Sequence, residues 1–240
     1  MPMILIRHGE SAAVQHPELW RIPSNAAIGL STEGVHQSVR LAATLDKLLE
    51  SLPYDLVHTT SIYVSEMARA QQTLNICRSL LKSKVLAPLR QNWPAPPLNE
   101  FLSWTTTERM DNPYLTYPYS DPYTLWLADK NPPNPNIRTW EDMRTDIRSV
   151  LRFMPSASDP ARLSIVFAHH YSINAILAET APYSNQEGER YVKAAIRNIA
   201  IPNAVPILLG FPQGTTFPNC LIGESLVDES QLNQFNTVSA

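Results

Sequence analysis

The 240 residues are 44% hydrophobic and carry a formal net charge of −3, which predicts one domain that buries a sizeable core. No basic stripe or block of like charge occurs, and this argues against a nucleic-acid partner. No run of about 18 apolar residues is present, so we expect no membrane span. The start of the chain lacks the basic and apolar regions of a signal peptide, and the two cysteines form neither a disulfide framework nor a metal-ligand cluster. These features together predict a cytoplasmic protein.

Short apolar runs alternate with amphipathic segments in the first third of the chain. Residues 3–6 and 62–64 are predicted to be buried strands. A helix is predicted from Thr32 to Pro53, and a second one is predicted to begin with Ser65 as its cap. The inward face of the first helix is predicted to comprise Val35, Val39, Ala42, Leu45, Leu49 and Leu52. That of the second is predicted to comprise Met67, Ala70, Leu74, Cys77 and Leu81.

The rest of the chain continues this alternation around one irregular stretch. Residues 85–89 are predicted to form an edge strand, and residues 93–136, rich in proline and aromatic residues, a long irregular insertion. A helix from Thr139, a strand over 163–168, a helix from Ser172, and strands over 199–201 and 205–209 are predicted next. The tail over about 210–240 is weakly patterned. The alternation predicts an α/β fold in a single domain spanning residues 1–240. We expect a three-layer sandwich with helices flanking a mostly parallel central sheet.

Two of the predicted strands end in histidine, at His8 and at His169. In an open α/β sheet the active site lies beyond the carboxyl ends of the strands, so strand ends that are distant in sequence meet in one crevice. We therefore expect both histidines to contribute to the same site. A metal site at His169 and His170 is disfavoured, because adjacent residues of a strand point to opposite faces.

Five sequence elements occur in an order that is typical of one family. They are RHGES at residues 7–11, LSTEG at 30–34 followed by Gln37, SEMARAQQT at 65–73, LNE at 98–100 and VFAH at 166–169. Together they resemble the signature elements of the histidine phosphatase (phosphoglycerate mutase-like) superfamily, over residues 3 to about 177. The resemblance implies a phosphomonoester hydrolase that acts on a small organic phosphate through a phosphohistidine intermediate, with no metal or other cofactor.

The resemblance also implies a role for each of five residues. His8 is the nucleophile, Arg7 and Arg69 grip the phosphate, His169 is a further phosphate ligand and Glu100 is the general acid and base. These residue types suit the reaction, because the planar fork of arginine binds phosphate oxygens in pairs. A histidine nitrogen without a proton can attack phosphorus, and a glutamate can protonate the departing alkoxide.

Some positions depart from the family's pattern. His170 stands where the family usually has glycine, and we expect it to contact the phosphate. Val14 stands where an asparagine is common, which changes the pocket wall. Because Glu100 adjoins the irregular insertion, Glu108 and Asp111 are alternative proton donors.

The sequence leaves the substrate open. The expected partner is a small phosphorylated or otherwise anionic metabolite, and the oligomeric state is not predicted. The insertion is expected either to cap the core or to form an apolar lid over the phosphate site, through Phe101, Trp104, Tyr114, Tyr117, Tyr119, Tyr123 and Trp126. Three alternatives to the phosphatase stay open: a dehydratase or isomerase that uses the same pocket, a mutase-like phosphotransferase, and a non-catalytic phosphate binder.

Overall fold

The computed structural model describes residues 2–21, 25–81, 92–94, 98–99, 140–154, 159, 162–180, 199–211 and 217–223. In these residues one sheet has the strand order β3-β2-β4-β1-β5-β6. Its strands are β1 (Met3–Arg7), β2 (Ser61–Val64), β3 (Asn92–Pro94), β4 (Ser164–Ala168), β5 (Pro206–Leu209) and β6 (Leu221–Ile222). The first four strands run parallel, β5 is antiparallel to β1, and β6 is parallel to β5.

Helices cover both faces of this sheet. They are α1 (Ala12–Gln15), α2 (Thr32–Ser51), α3 (Tyr54–His58), α4 (Ala68–Leu80), α5 (Trp140–Phe153) and α6 (His170–Thr180), with short 3-10 turns at Pro17–Arg21 and Asn25–Ala27. Successive side chains of a strand point to opposite faces. Met3 and Leu5 therefore pack with residues of α5 and α6, whereas Ile4 and Ile6 pack with α2 and α4. The predicted α/β sandwich with a mostly parallel sheet is confirmed.

The pairing of β1 with β4 brings the two strand-end histidines together. Arg7 is paired with Ala168, and the next residues along the two strands are His8 and His169. The backbone N–H of His8 continues the ladder by donating to the carbonyl oxygen of Ala168 at 3.1 Å. Because β1 and β4 are adjacent parallel strands, these side chains lie together at the carboxyl ends of the strands, as the sequence predicted.

The predicted inward face of α2 is wrong in its first half. Val35 and Val39 are exposed. The buried positions are instead Gly34, Ser38, Leu41, Ala42, Leu45, Leu48 and Leu49. The inward face is rotated by about one residue at the start of the helix, because α2 approaches the loop after β1 closely there and only small residues fit.

Several predicted boundaries also differ. The residue at the N-cap of α4 is Met67 rather than Ser65, and α6 begins at His170 rather than at Ser172. Ile199 and Ile201 are buried, but residues 199–201 do not form a strand, since the strand of this region starts at Pro206.

Two strands lie where irregular chain was predicted. Strand β3 includes the first two residues of the predicted insertion, and it lies at an edge of the sheet, where a proline is tolerated. Strand β6 lies in the tail that lacks a clear pattern. The predicted strand over 85–89 and the remainder of the insertion from residue 100 to residue 136 lie outside the described residues. In the part of the chain that is described, no helix is long and apolar enough to cross a membrane.

Candidate active site

The rings of His8 and His169 are in edge-to-face contact. Their centroids lie 4.8 Å apart at an interplanar angle of 61°, and both side chains are buried. The ring nitrogens of the two residues contact different groups. Each nitrogen therefore has its own hydrogen-bonding environment, and these environments decide where the protons lie.

The hydrogen bonds of His8 leave Nε2 without a proton. Nδ1 lies 2.6 Å from the carbonyl oxygen of Gly9, which can only accept, so Nδ1 carries the ring proton and donates it. On the other side of the ring, Nε of Arg69 donates to Nε2 at 3.1 Å. Burial is the largest cause that lowers the pKa of His8, and the charges of Arg69 and Arg7 lower it further. His8 is therefore neutral at neutral pH, with the lone pair of Nε2 directed into the site.

Arg69 is held beside this lone pair by a buried position on α4. Its side chain is only 3% exposed, and its Nη2 lies 3.0 Å from the sulfur of Met67. Thr73, one turn further along α4, accepts a hydrogen bond from the backbone N–H of Gly9 at 3.0 Å and donates to the carbonyl oxygen of Arg69 at 2.8 Å. The threonine thus fastens the arginine's helix to the loop that carries His8.

Arg7, the last residue of β1, brings a second guanidinium to the carboxyl ends of the strands. Its Nη1 donates to the carbonyl oxygen of Ile201 at 2.7 Å, and this bond joins Arg7 to the segment before β5. The positive charge of Arg7 lowers the pKa of His8, of His169 and of His170. The site therefore combines permanent cations with neutral histidines, a combination that suits an anionic ligand.

His169 is fully buried at the start of α6. Its backbone N–H donates to the hydroxyl of Ser172 at 3.0 Å, and its carbonyl accepts from the N–H of Ile173. Its Nε2 lies 2.8 Å from Oγ of Ser65, whereas its Nδ1 has no hydrogen-bond partner among the described residues. Burial and the charge of Arg69 are the two largest causes that lower the pKa of His169. His169 directly precedes the N-terminus of α6, where backbone N–H groups lack partners within the helix and the helix dipole is positive.

The start of α2 supports the loop after His8 from behind. Ser31 caps the helix by accepting from the N–H of Gly34 at 3.0 Å, and its hydroxyl donates to the carboxylate of Glu10 at 2.8 Å. The side-chain oxygen of Gln37 accepts from the N–H of Glu10 at 2.7 Å. The elements at 30–34 and 37 therefore hold the loop that carries His8 in place.

His170 is the first residue of α6 and is partly buried. Its ring is in edge contact with that of Tyr171, at a centroid distance of 4.9 Å. Burial, followed by the charge of Arg7, lowers the pKa of His170 to about 4. The positive charge of Arg7 therefore acts on this ring. The contact of His170 with phosphate stays a prediction.

The proton donor proposed from the sequence, Glu100, and the alternatives Glu108 and Asp111 lie outside the described residues, as do the seven aromatic residues of the predicted lid. The chain just before Glu100 is described. Leu98 is fully buried, and Asn99 accepts hydrogen bonds from two groups that follow β2. Val14 is exposed on α1.

The sequence analysis did not find two residues that the structure connects to His169. Ser65 was interpreted as a helix cap, but its hydroxyl contacts the ring of His169 and the side chain of Asn99. Asn99 occupies the middle of the LNE element, where the family's pattern allows any residue, so no signal pointed to it. Within the described residues, no group of three or more histidine, cysteine or acidic side chains is arranged to hold a metal ion.

Comparisons with solved structures give the same fold. An Escherichia coli protein described as an alpha-ribazole-5'-P phosphatase is 17% identical, with a TM-score of 0.57, over 93% of this chain and 98% of that one. The product of the open reading frame Rv3214 of Mycobacterium tuberculosis is 18% identical, with a TM-score of 0.56, over 92% and 98%. A phosphoserine phosphatase mutant from Entamoeba histolytica, in complex with phosphoserine, is 17% identical, with a TM-score of 0.54, over 90% and 95%.

No curated protein matches the chain. The family model of the histidine phosphatase superfamily (branch 1) matches residues 3–201, a span that contains all five sequence elements and every residue of the site described above. The chain therefore belongs to the histidine phosphatase superfamily, branch 1.

Proposed function

We propose that this protein is a metal-independent phosphomonoester hydrolase that acts through a phosphohistidine at His8. The observation that carries the proposal is the proton arrangement of His8. Its Nδ1 is committed to the carbonyl of Gly9, and its Nε2 lone pair lies 3.1 Å from the guanidinium of Arg69. A phosphate oxygen is a charged acceptor and so competes well for that guanidinium. Substrate binding would then release the lone pair for attack.

The reaction has two balanced steps. In the first, Nε2 of His8 forms a bond to phosphorus, the bond from phosphorus to the ester oxygen breaks, and Glu100 protonates the departing oxygen. In the second, water gives a proton to Glu100 and attacks phosphorus. The bond from nitrogen to phosphorus then breaks, and inorganic phosphate leaves. Arg7, Arg69, His169 and His170 are the proposed phosphate ligands, and they stabilise the charge on the equatorial oxygens.

A small organic phosphate is the proposed substrate class. Two of the solved structures with this fold are described as phosphatases, of alpha-ribazole-5'-P and of phosphoserine. The aromatic insertion is the proposed lid, which favours a substrate with an apolar part. The natural partner is accordingly a small-molecule phosphate.

The test is a trapping experiment with a matched histidine control. The parent protein, His8→Ala and His36→Ala are incubated with nitrophenyl phosphate and EDTA, then quenched and analysed by mass spectrometry. His36 is an exposed residue of α2. We expect an acid-labile phosphoryl group on His8 in the parent and in His36→Ala, and none in His8→Ala. Absence of hydrolysis across a broad panel of aryl and metabolite phosphates would contradict the proposal. Turnover of a carboxylated metabolite that survives in His8→Ala would favour the dehydratase or isomerase alternative.

A further inference from the structure

The proton of His169 is controlled by a short chain of hydrogen bonds that begins at a backbone N–H. The N–H of Glu66 donates to Oδ1 of Asn99 at 2.9 Å. A backbone N–H cannot accept, so the atom facing it must be the oxygen of the amide and not its nitrogen. This contact fixes the orientation of the Asn99 side chain.

The same amide oxygen fixes the direction of the Ser65 hydroxyl. Oγ of Ser65 lies 2.7 Å from Oδ1 of Asn99, and because that oxygen can only accept, the single hydroxyl proton lies between these two atoms. Oγ also accepts from the N–H of Met67 at 3.2 Å. One lone pair of the hydroxyl is then left for the ring of His169.

The remaining lone pair decides the tautomer of His169. Nε2 lies 2.8 Å from Oγ of Ser65, and since the hydroxyl proton is already committed to Asn99, Nε2 must be the donor. In the neutral ring the proton is therefore on Nε2, and Nδ1 is a bare acceptor that has no partner among the described residues. This tautomer is the opposite of the one that the carbonyl of Gly9 imposes on His8.

We propose that Asn99 and Ser65 are positioning residues that keep the proton of neutral His169 on Nε2, so that His169 ligates an oxyanion only by taking up a second proton on Nδ1. The first half of this proposal, the position of the proton on Nε2, is argued from the hydrogen-bond geometry alone. The second half rests on the proposed function, in which His169 is a phosphate ligand. A phosphate oxygen needs a donor, and the N–H of Nε2 is already committed to Ser65.

The charges around His169 make this proton uptake dependent on the anion. Burial lowers the pKa of His169, and the charge of Arg69 on α4, the ring of His8 after β1 and the charge of Arg7 on β1 lower it further. His170 follows it on α6, and Glu66 is 3.4 Å from the amide nitrogen of Asn99. Without an anion His169 is neutral at neutral pH. A bound dianion offsets the arginine charges and favours the protonated ring, so oxyanion affinity is expected to fall as the pH rises.

The first test is the tautomer of His169, read by two-dimensional NMR of protein labelled with ¹⁵N-histidine near pH 7.5. His169→Gln assigns the signal, and His8 is the internal reference. We expect His169 protonated on Nε2 and His8 protonated on Nδ1 in the parent protein. In Asn99→Ala the Ser65 hydroxyl can turn and donate to Nε2, so His169 should shift towards the Nδ1–H tautomer while His8 stays unchanged.

Asn99→Asp keeps an oxygen acceptor for the Ser65 hydroxyl and for the backbone N–H of Glu66, and we expect it to retain the parent tautomer. Ser65→Ala removes the acceptor for Nε2 and should also release the preference. A parent protein whose His169 is protonated on Nδ1 overturns the proposal even if no variant folds. An unchanged tautomer in a folded Asn99→Ala overturns it as well.

The second test is proton uptake on binding sulfate, an anion whose own charge is constant across the range studied. Calorimetry in buffers of different ionisation enthalpy counts the protons taken up. We expect Asn99→Ala to take up about one proton fewer than the parent on binding sulfate. As the pH rises, the sulfate affinity of the variant should therefore fall less steeply than that of the parent, with a difference of up to about tenfold per pH unit. Equal proton counts overturn the second half of the proposal. If the parent hydrolyses no aryl phosphate while the tautomers and the difference in proton uptake are as expected, only the proposed function is contradicted.

Discussion

Gly9 and Gly34 lie backbone against backbone, so that a Cβ built on Gly9 would be 2.4 Å from the carbonyl oxygen of Gly34. A Cβ on Gly34 would be 2.1 Å from the carbonyl oxygen of Glu10. No side-chain movement relieves these contacts, because the neighbouring atoms belong to the main chain. The loop that holds His8 and the first turn of α2 must therefore approach each other without side chains.

Gly34→Ala should consequently displace the loop that holds His8. We expect a loss of about 1–3 kcal/mol in the free energy of unfolding, typical of overpacking, together with reduced hydrolysis of nitrophenyl phosphate. Urea denaturation and steady-state kinetics measure the two effects. Gly29→Ala is the control, since its Cβ would meet only the end of the flexible Gln72 side chain, and it should be milder in both. Equal effects of the two variants would argue against a special role for the contact.

The side chain of Arg69 should not be replaceable by lysine. Arg69 directs its Nε at Nε2 of His8 and its Nη2 at the sulfur of Met67, and a lysine ammonium cannot keep both geometries. We expect Arg69→Lys to lower kcat by about 10²- to 10³-fold, as for the loss of one donor to the transition state. Arg40→Lys, on the exposed side of α2, should leave kcat unchanged. If Arg69→Lys kept the kcat of the parent, a bidentate grip of Arg69 on the phosphate would be contradicted.

Hydrophobic periodicity does not predict the buried face at the start of α2. The pattern in α2 pointed to Val35 and Val39, yet the buried turn consists of Gly34 and Ser38. Burying Ser38 is inexpensive because its hydroxyl donates to the carbonyl oxygen of Gly34 at 2.8 Å. Periodicity treats glycine and serine as outward residues, so close approach of two backbones is invisible to it.

The strand ends, in contrast, were predictable from the sequence. Two strongly apolar runs that each stop at a histidine indicated where His8 and His169 would meet, because a parallel sheet brings the carboxyl ends of its strands to one edge. The connection of His169 to Asn99 through Ser65 was not predictable. It depends on the directions of three side chains, and only the folded chain specifies them.

The Glu179 carboxylate on α6 should contribute strongly to stability. It forms ion pairs with Nε of Arg144 and, at 2.7 Å, with Nε of Arg148, both on α5. The side chains of Arg144 and Glu179 are each only 9% exposed, so removing the carboxylate leaves a largely desolvated guanidinium without that partner. We expect Glu179→Gln to destabilise the protein by about 3 kcal/mol, measured by urea denaturation. Glu33→Gln, which breaks an exposed pair, should change little, and a similar result for both would contradict the argument.

The proton-donor role of Glu100 predicts a dependence on the leaving group. An alkyl alkoxide needs a proton as the bond breaks, whereas nitrophenolate leaves almost unaided. Glu100→Gln should therefore slow phosphorylation of His8 by about 10²- to 10⁴-fold for an alkyl phosphate and clearly less for nitrophenyl phosphate. Single-turnover rates are the suitable measurement, because dephosphorylation also slows. An equal loss with both esters would transfer the role to Glu108 or Asp111, which are the next residues to substitute.

Acid should destabilise the fold through histidines that are kept neutral. The pKa of His170 is lowered to about 4, first by burial and then by Arg7, and the pKa values of His8 and His169 are lowered as well. As the pH falls below about 6.5, the unfolded chain binds protons that the folded chain does not, so the free energy of unfolding decreases. For His170 this decrease continues down to about pH 4, where the folded form begins to take up the proton too.

His170→Gln isolates one of these contributions. Between about pH 7.5 and pH 5.5 each such histidine should cost roughly 1 kcal/mol, so the variant's stability should fall by about that much less than the parent's. Urea denaturation at both pH values gives the difference directly. His36→Gln, which replaces an exposed histidine of α2, should lose as much stability on acidification as the parent does. If His170→Gln also matched the parent, the ring of His170 would not be held neutral by burial and by Arg7.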